Sequence, residues 1–424
     1  MASSSDAVAA PTVRVFIAGG SYAGLSTAVN LLDLGKGLSP RMLQGKKYEH
    51  HANLPAVNWA ITIVDERDGF FHLIGSPLAL ADAEYAKKAW VKYQDLPCLH
   101  TPQVRVIQGS VTSVNCEAKT ATTVDAATKV ATTHEYDYFV AATGLRRAWP
   151  VVPQSLTRKQ YLIEAGDHIH AVVNAHHGVV VVGGGAVGIE MAAELKMVKP
   201  NVKVVLVHSR DKLLSAEALS DECKDKALEL LRETGVDVLM NHRLAASQKV
   251  DTTDGSSKYE LTFTNGHKMV ASEVIMALSQ SRTTSTYLPS SAIDEEGFVK
   301  IQPSAVFSPG TPNARFHLCA GDLTKWSGIK RCGWAMHSGH FVAQNIHKLV
   351  TQEQTGQETK LEEFDEVAPM IGLAVGKKAV ASGPDGTVSG EETMQAYFRD
   401  DLGFTICWDW MGLGGRKKEE LSAV

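Results

Sequence analysis

Twice along the chain a run of strand character, apolar but for Arg14, ends in a glycine cluster and continues at once as apolar residues at helical spacing. The first copy is Val13 to Ile17, then Gly19-Gly20-Ser21-Tyr22-Ala23-Gly24, then a helix reaching Leu32. The second is Val179-Val180-Val181-Val182, then Gly183-Gly184-Gly185-Ala186-Val187-Gly188, then Met191 to Val198. A continuous apolar run predicts a strand covered on both faces, and its passage through glycines into a helix predicts a βα turn. Such a turn aims backbone N–H groups and the positive end of the helix at one spot, which suits a pyrophosphate.

The rest of the pattern fills in around these two units. A polar stretch over 35–58 separates the first helix from a strand at Ala60 to Val64. Phe70 to Ala81 and Ala86 to Tyr93 predict a loop and a helix covering a pocket. A strand at Val104 to Ile107 precedes an antiparallel excursion, Val111 to Asn115 with Thr120 to Val124. Tyr138 to Ala142 predicts a buried strand that stops at Thr143-Gly144. Further strands are expected at Lys203 to Val207, Val236 to Met240, Tyr259 to Thr264 and Glu273 to Ala277, with a turn over 252–258. Ser220 to Glu233 reads as an amphipathic helix opened by capping residues. Later come a short strand delivering Gly321-Asp322 and a helix from Arg331 to Val350. Strands at Met370 to Val375 and Ala379 to Ala381, a Gly-Pro-Asp-Gly turn (383–386) and a helix around Glu391 to Phe398 follow.

The expected fold class is α/β, with two Rossmann-like dinucleotide-binding domains, the second inserted in the first, and a small C-terminal α+β domain. In boundaries this gives a disordered 1–11, a first domain from 12–150 and 292–360, an inserted domain 151–291 and a C-terminal domain 361–424. The aromatic segment Phe404 to Met411 fits three roles: capping a core, lining an acceptor site, or touching a membrane surface. Core capping is the expected one.

Composition and charge narrow the class without changing it. A net charge of -5 leaves no basic footprint for nucleic acid. No apolar run approaches the roughly 18 residues that span a bilayer. The start of the chain reads as neither a secretory nor a transit segment, and Ala2 excludes N-myristoylation. Six scattered cysteines with no C-x-x-C argue against zinc and for free thiols, so the cytoplasm is the expected compartment.

Candidate chemistry sits at the strand ends. Asp65-Glu66-Arg67 ends the second strand, where an acid would hold ribose hydroxyls, although Asp65 lies about twice the usual ~20 residues beyond the turn. In the second unit the matching strand ends in His208-Ser209-Arg210. An acid there would repel a 2′-phosphate, whereas Arg210 can pair with one, which favours NADPH or acceptance of both nicotinamides. An exposed, solvated arginine is the plainer reading. Asp322 on its Gly-Asp turn can accept hydrogen bonds from a polyol. His337 and His340, three apart on one helix, lack the further ligands a metal needs, so no metal is expected.

Two nested nucleotide units, the Ala142-Thr143-Gly144 turn and the late Asp322 together resemble the two-dinucleotide-binding-domain flavoproteins of the pyridine nucleotide-disulfide reductase superfamily. The resemblance covers about residues 12–424. It implies FAD on the first turn and NADH or NADPH on the second. FAD contacts would fall on Gly19, Gly20, Ser21, Tyr22, Ala23, Gly24, Asp65, Glu66, Arg67, Val111, Ala142, Thr143, Gly144, Gly321 and Asp322. Nicotinamide contacts would fall on Gly183, Gly185, Ala186, Val187, Gly188, Glu190, His208 and Arg210.

The chain is most similar to the apoptosis-inducing-factor-homologous group, which includes a ferroptosis-suppressing NAD(P)H:quinone oxidoreductase. Val64 to His72, Ala86 to Tyr93, the Gly183 to Lys196 turn and helix, His208 to Leu213 and Gly328-Ile329-Lys330 carry that likeness. It implies that Lys330 lies near the flavin, where it would stabilise an anionic reduced form. Glu190 would orient the nicotinamide or relay a proton, or else simply answer the helix dipole.

Three departures stand out. Ser21 replaces a glycine. Ser76-Pro77-Leu78 stands where the group often carries an arginine, and the myristoylation signal is missing. No C-x-x-C or C-x4-C occurs for disulfide reduction, and Leu145 to Gly178 lacks the F-x-G-x3-H of flavin monooxygenases. The expected function is therefore electron transfer from NAD(P)H through FAD to a small quinone-like acceptor. A ferredoxin-type protein acceptor, a redox-sensing apoptosis-type interaction protein and a tailoring oxidoreductase are the rivals, and the oligomeric state stays open.

Overall fold

The computed structural model describes residues 12–41, 56–251, 257–278 and 281–415. The expected disordered 1–11 therefore lies outside the described residues, as do most of the polar excursion and residues 252–256 of the turn expected over 252–258. Residues 257 and 258 of that turn instead open a strand.

β1 (Thr12–Ala18) leads through the first glycine turn into α1 (Tyr22–Leu34) and returns as β2 (Asn58–Asp65), parallel to β1 in the register Thr12↔Asn58 to Ala18↔Val64. Next come β3 (Gly69–Phe71), α2 (Ser76–Ala79), α3 (Ala83–Ala89) and β4 (Trp90–Lys92). The helix expected over Ala86 to Tyr93 thus ends at Ala89, and from Trp90 the chain turns extended and pairs back on β3. Trp90 and Val91 favour a strand, and the Trp90 indole N–H donates to Asp68 at 2.8 Å, a bond that a continued helix would forgo.

β5 (Val104–Asn115) is one long strand where two were expected. Its first half runs parallel to β2, and its second half pairs antiparallel with β6 (Thr120–Asp125) across a bulge between Val111 and Ser113. β7 (Ala131–Glu135), unexpected from its polar sequence, completes that excursion before β8 (Tyr138–Ala141).

β9 (Leu145–Arg147) and α4 (Arg158–Val173) lead into the inserted unit. It contains β10 (Val179–Val182), α5 (Ala186–Val198), β11 (Val204–Val207), α6 (Asp221–Glu233) and β12 (Asp237–Leu239). Ser220 caps α6 by accepting from Cys223 N–H. β13 (Leu244–Asp251), β14 (Ser257–Phe263) and β15 (Lys268–Ala271) form an antiparallel layer, and β16 (Glu273–Met276) rejoins the parallel sheet in the order β12-β11-β10-β16. β17 (Ser281–Thr283) pairs antiparallel with β9, so the two chain crossings of the insertion clasp each other.

β18 (His317–Cys319) closes the first sheet, whose order is β18-β8-β1-β2-β5-β6-β7. α7 (Cys332–Thr355) then packs along α1. Every residue of α1 is buried, including Ser26, Thr27, Asn30 and Asp33, because the sheet covers one side and α7 the other. The helices touch at Gly339, where a Cβ would stand 2.3 Å from the Ala23 carbonyl oxygen, and the Ser26 hydroxyl donates to the Met336 carbonyl at 2.8 Å. This close approach fixes the N-terminal end of α7 beside the first glycine turn.

β19 (Ile371–Val375), β20 (Lys378–Gly383), β21 (Gly386–Gly390), α8 (Glu391–Tyr397) and α9 (Phe404–Met411) form the C-terminal unit. Its sheet packs on α5 and α6 while α9 packs on α1, so it bridges both nucleotide units. Phe404, Cys407 and Met411 point inward from α9 as a core cap, and Trp410 on the opposite side is 38% exposed. No described helix is long and apolar enough to cross a membrane.

Candidate functional site

The two glycine turns are built alike, residue for residue. Gly19 and Gly183 take φ +105° and +125°, values that L side chains avoid. A Cβ on either would stand 2.3 Å from a neighbouring strand-end carbonyl, Ala142 or Ala277. A Cβ on Gly24 or Gly188 would lie 1.8 or 1.9 Å from the carbonyl oxygen of Gly19 or Gly183. These four positions hold helix and strand together and admit no side chain.

Ser21 and Gly185 occupy the third shared place, the N-cap of α1 and α5. Their backbones are extended (φ −92°, ψ −156° and φ −80°, ψ 177°), so serine stands there without strain. Ser21 makes no capping bond with its side chain, and a Cβ on Gly185 meets nothing within 4 Å. Both N-caps therefore face open space with their helix N–H groups uncovered, and neither helix has an acid in its first turn. That is a place for phosphate.

The strand tips complete each turn. Gly20 N–H donates to Asp65 Oδ2 at 2.7 Å, across 45 residues of chain, and Arg67 N–H donates to Oδ1 at 2.8 Å. In the second unit Gly184 N–H donates to His208 Nδ1 at 3.1 Å. His208 thus stands where the acid stands in the first unit. Accepting at Nδ1 places its proton on Nε2, which donates to Ser215 Oγ at 3.0 Å, and burial lowers its pKa. A neutral imidazole replaces a carboxylate. Arg210 beside it is exposed and donates to the Ser215 carbonyl at 2.9 Å.

Between the turns lies one cleft of about 2400 Å³, more than twice the ~1,000 Å³ upper range of a single-ligand pocket. Its wall includes Ser21, Tyr22 and Ala23, Arg67, Ala142-Thr143-Gly144, Gly183 to Val187, Glu190, His208, Arg210, Gly321, Asp322 and Lys330. Gly19, Gly20, Gly24, Asp65 and Gly188 sit behind that wall as its frame. Glu66 is turned aside: it accepts from Ser110 Oγ at 3.1 Å and pairs with Arg146 at 2.5 Å. Val111 packs against the strand core and is not part of the wall.

Asp322 is the most telling of these residues. Its Oδ2 accepts from Arg147 Nη2 at 3.1 Å, while Oδ1 is buried with no hydrogen-bond partner. A buried acceptor without a donor is costly unless a ligand supplies one, and a ribityl hydroxyl would. Gly321, at φ +77°, sets the turn, and its N–H donates to Ser338 Oγ at 2.8 Å. Lys330 donates to the Thr324 carbonyl and lies 5.1 Å from the Phe298 ring; burial lowers its pKa and Asp322 opposes the shift.

Glu190, on the first turns of α5, has its carboxyl pushed up to about 8, chiefly by burial. The Ala374 N–H at 3.4 Å opposes that shift and Glu194, one turn on, reinforces it. At neutral pH it holds a proton at the cleft wall.

Sequence reasoning missed Arg147, which follows the Gly144 turn on β9; the adjacent pair Arg146-Arg147 was its only signal. It also gave no substitute for the arginine absent at Ser76 to Leu78. Arg67 is a cation on the same wall: it lines the cleft, sits 5.8 Å over the Trp90 ring, and its Nε is buried without a partner. His337 and His340 stack with ring centres 6.4 Å apart, and among the described residues no group of three side chains could hold a metal ion.

The pyridine nucleotide-disulphide oxidoreductase family matches residues 13–303. Oxidoreductase OXR1 of Ajellomyces capsulatus is 49% identical over 409 residues, covering 95% of this chain and 88% of that protein. Ferroptosis suppressor protein 1 of Xenopus tropicalis is 24% identical over 275 residues, 65% of this chain and 64% of that protein. In fold, the structure of NDH2 from Plasmodium falciparum in complex with NADH aligns with a TM-score of 0.66 at 14% identity, over 95% of this chain and 97% of that one. The chain belongs to the pyridine nucleotide-disulphide oxidoreductase family. Such flavoproteins take FAD and NAD(P)H, and the unpartnered Asp322 oxygen and the two open helix N-caps fit both.

Proposed function

We propose that this oxidoreductase passes two electrons from NAD(P)H, through FAD, to a small quinone-like acceptor. The observation that carries the reading is Glu190, a protonated carboxyl on the wall of a cleft that both nucleotide turns share. Reducing a quinone takes two protons as well as two electrons, and a buried acid with its pKa near 8 is poised to give one.

FAD, when bound, takes the hydride from the nicotinamide and holds the electron pair for the acceptor. The chain does the rest. The N-caps at Ser21 and Gly185 bind the pyrophosphates, and Asp322 orients the ribityl chain through its free oxygen. Arg67 and Arg147 bring positive charge to the first cradle. Lys330 sets a cation beside Asp322 to balance negative charge developing in the cleft. His208, neutral, and Arg210 admit a 2′-phosphate. Glu190 donates its carboxyl proton to the acceptor oxygen.

One surface feature favours a second reading, a protein acceptor of the ferredoxin type. Lys87, Lys88, Lys92 and Arg158 line a shallow groove with Asp95, Phe404 and Trp408; Lys87 and Lys88 pair with Glu84 and Asp401, and Lys92 and Arg158 are the cations left for an acidic partner. A single set of assays separates the two. The purified protein should be yellow, and NADH and NADPH oxidation is followed with soluble quinones, ferricyanide, oxygen and a ferredoxin. Fast quinone turnover supports the first reading and ferredoxin-selective turnover the second. A colourless protein that FAD does not reconstitute overturns both.

A further inference from the structure

Arg331 is a half-buried cation that the fold leaves without a counter-charge. It stands at the N-cap of α7, whose first turn holds no acid, and it lines the cleft beside Lys330. One guanidinium N–H donates to the Met370 carbonyl at 3.3 Å, and Arg331 enters no ion pair among the described residues. Its neighbours do not neutralise it. Asp322 is already paired with Arg147, and Glu190 keeps its proton at neutral pH. Asp365 and Asp385 also line the cleft, and neither pairs with Arg331. Arg147, Lys330 and Arg331 thus face Asp322 as the one carboxylate among them. Lys330 answers the negative charge of a reduced flavin, which leaves Arg331 over. A half-buried charge without a partner is costly, and burial accordingly lowers its pKa.

The strand next to Arg331 carries the other half of the site. Arg331 meets the Met370 carbonyl just before β19 begins, and the Glu190 carboxyl meets the Ala374 N–H on β19 at 3.4 Å. Ile371, Gly372 and Leu373 separate those two backbone groups, about 10 Å of extended chain. Ile371 and Gly372 lie on the cleft wall with Tyr397 and Phe398. A Cβ on Gly372 would find the Phe398 ring at 3.5 Å and the Tyr397 ring at 3.7 Å, so bare backbone and two rings form a flat floor. Tyr397 is 54% exposed, an aromatic side chain still open to a ligand. A proton donor therefore stands at one end of this floor and an unpaired cation at the other.

We propose that the electron acceptor carries a negative charge: a planar fused-ring compound whose carboxylate, or a comparably acidic group, pairs with Arg331 while its reducible oxygen faces Glu190. Two fused rings with a carboxylate span the floor between the two side chains with a hydrogen bond at each end. The guanidinium has five N–H groups, so it can hold a carboxylate in bidentate fashion and keep the contact to Met370. A neutral ring would fill the floor and leave Arg331 unpaired, so the acceptor site selects on charge as well as on shape. The reducible oxygen is a quinone's on the reading given above. The anion site itself follows from the charges on the wall and does not need that reading.

The test uses the full-length, FAD-loaded protein and a redox-inert pair of probes, naphthoate and its uncharged amide, with binding measured by titration calorimetry. Naphthoate should bind at least about tenfold tighter than the amide, the worth of a charge-assisted hydrogen bond. Arg331→Gln should bring the two probes within about twofold of each other, and Arg331→Lys, which keeps the charge, should restore most of the preference. Circular dichroism and flavin content check that both variants are folded, and the comparison of the two probes in the native protein needs no variant. Equal binding of the probes, no binding of naphthoate, or a preference that survives Arg331→Gln would each overturn the proposal. Turnover with quinones separates it from the reading it extends. Arg331-dependent naphthoate binding without reduction of any quinone would keep the anion site and end the quinone reading. Rapid reduction of the neutral quinone menadione with no charge preference between the probes would do the reverse.

Discussion

Replacing Glu190 with glutamine removes a titrating proton and leaves the volume of the side chain unchanged. Burial and the neighbouring Glu194 hold the native carboxyl up at about 8, against an ordinary value near 4.3. At pH 7 about nine in ten molecules then carry the proton, and at pH 9 about one in ten do. The kcat/KM for a soluble quinone, which reports the free enzyme, should therefore fall about tenfold between those two pH values. In Glu190→Gln it should lie about 10²- to 10⁴-fold lower, the usual worth of a general acid, or about 3–5 kcal/mol of barrier. The variant should also lose the alkaline limb near pH 8. Ferricyanide supplies the control, because it takes electrons one at a time and needs no proton. Its reduction should change little in the variant and show no limb at that pH. Two results would refute the proton-donor role: a variant that keeps the limb near pH 8, or quinone and ferricyanide rates that fall together. The second would place Glu190 in nicotinamide positioning instead.

Other predictions rest on equally local features. Glu194, 1% exposed with Oε1 unpartnered, also has its carboxyl raised to about 8 by burial. The folded state keeps that proton where the unfolded state releases it, so stability is full below about pH 4.5 and declines until the pH has passed about 8. A shift from 4.5 to about 8 is worth on the order of 5 kcal/mol at most. Glu194→Gln should remove its share of this slope and leave that of Glu190, whose carboxyl is raised alike, seen as melting curves of variant and parent that diverge as pH rises; parallel curves would count against it. Gly185→Ala places a methyl in open space at an unstrained φ, so the melting temperature should hold while NAD(P)H affinity falls about tenfold or more in a fluorescence titration. Equal affinity would mean that phosphate does not approach that N-cap. Arg210→Ala should weaken NADPH more than NADH, by about tenfold in the ratio of Kd values. Equal losses would take Arg210 out of the 2′-phosphate site.

Local signals were the ones legible in the sequence. Each glycine turn lies directly between its own strand and its own helix, so that strand, that helix and their order could be read directly. So could the Ser220 cap and the strand stopping at Gly144. Trp90 shows where local reading fails: the helical spacing continues past it, but a bond to Asp68 and pairing with β3 pull the backbone out of the helix. Side-chain partnerships across the fold were not legible at all. Arg147 meets Asp322 at a separation of 175 residues, so no spacing rule predicts the pair.

The pairing of Gly20 with Asp65 and of Gly184 with His208 shows how one fold can serve two nucleotides. In both units the second glycine needs an acceptor for its N–H, and the strand tip must supply one. A carboxylate meets that need while also placing negative charge beside the ribose, which suits free hydroxyls and repels a phosphate. At 4 Å such a repulsion is worth about 4 kcal/mol per unit charge at an effective dielectric of 20. An imidazole accepting at Nδ1 meets the same structural need with no charge. The turn is therefore kept intact in the second unit while the electrostatic penalty on a 2′-phosphate is gone, and Ser215 holds the tautomer that makes this so. On the proposed reading Arg210 sets by how much NADPH is favoured, because the backbone carbonyl it now binds can be exchanged for a phosphate without leaving a buried group unpaired. Nucleotide choice in this chain is thus separable from the stability of the cradle, which explains why substitutions at Gly185 and Arg210 are expected to move affinity while leaving the melting temperature in place.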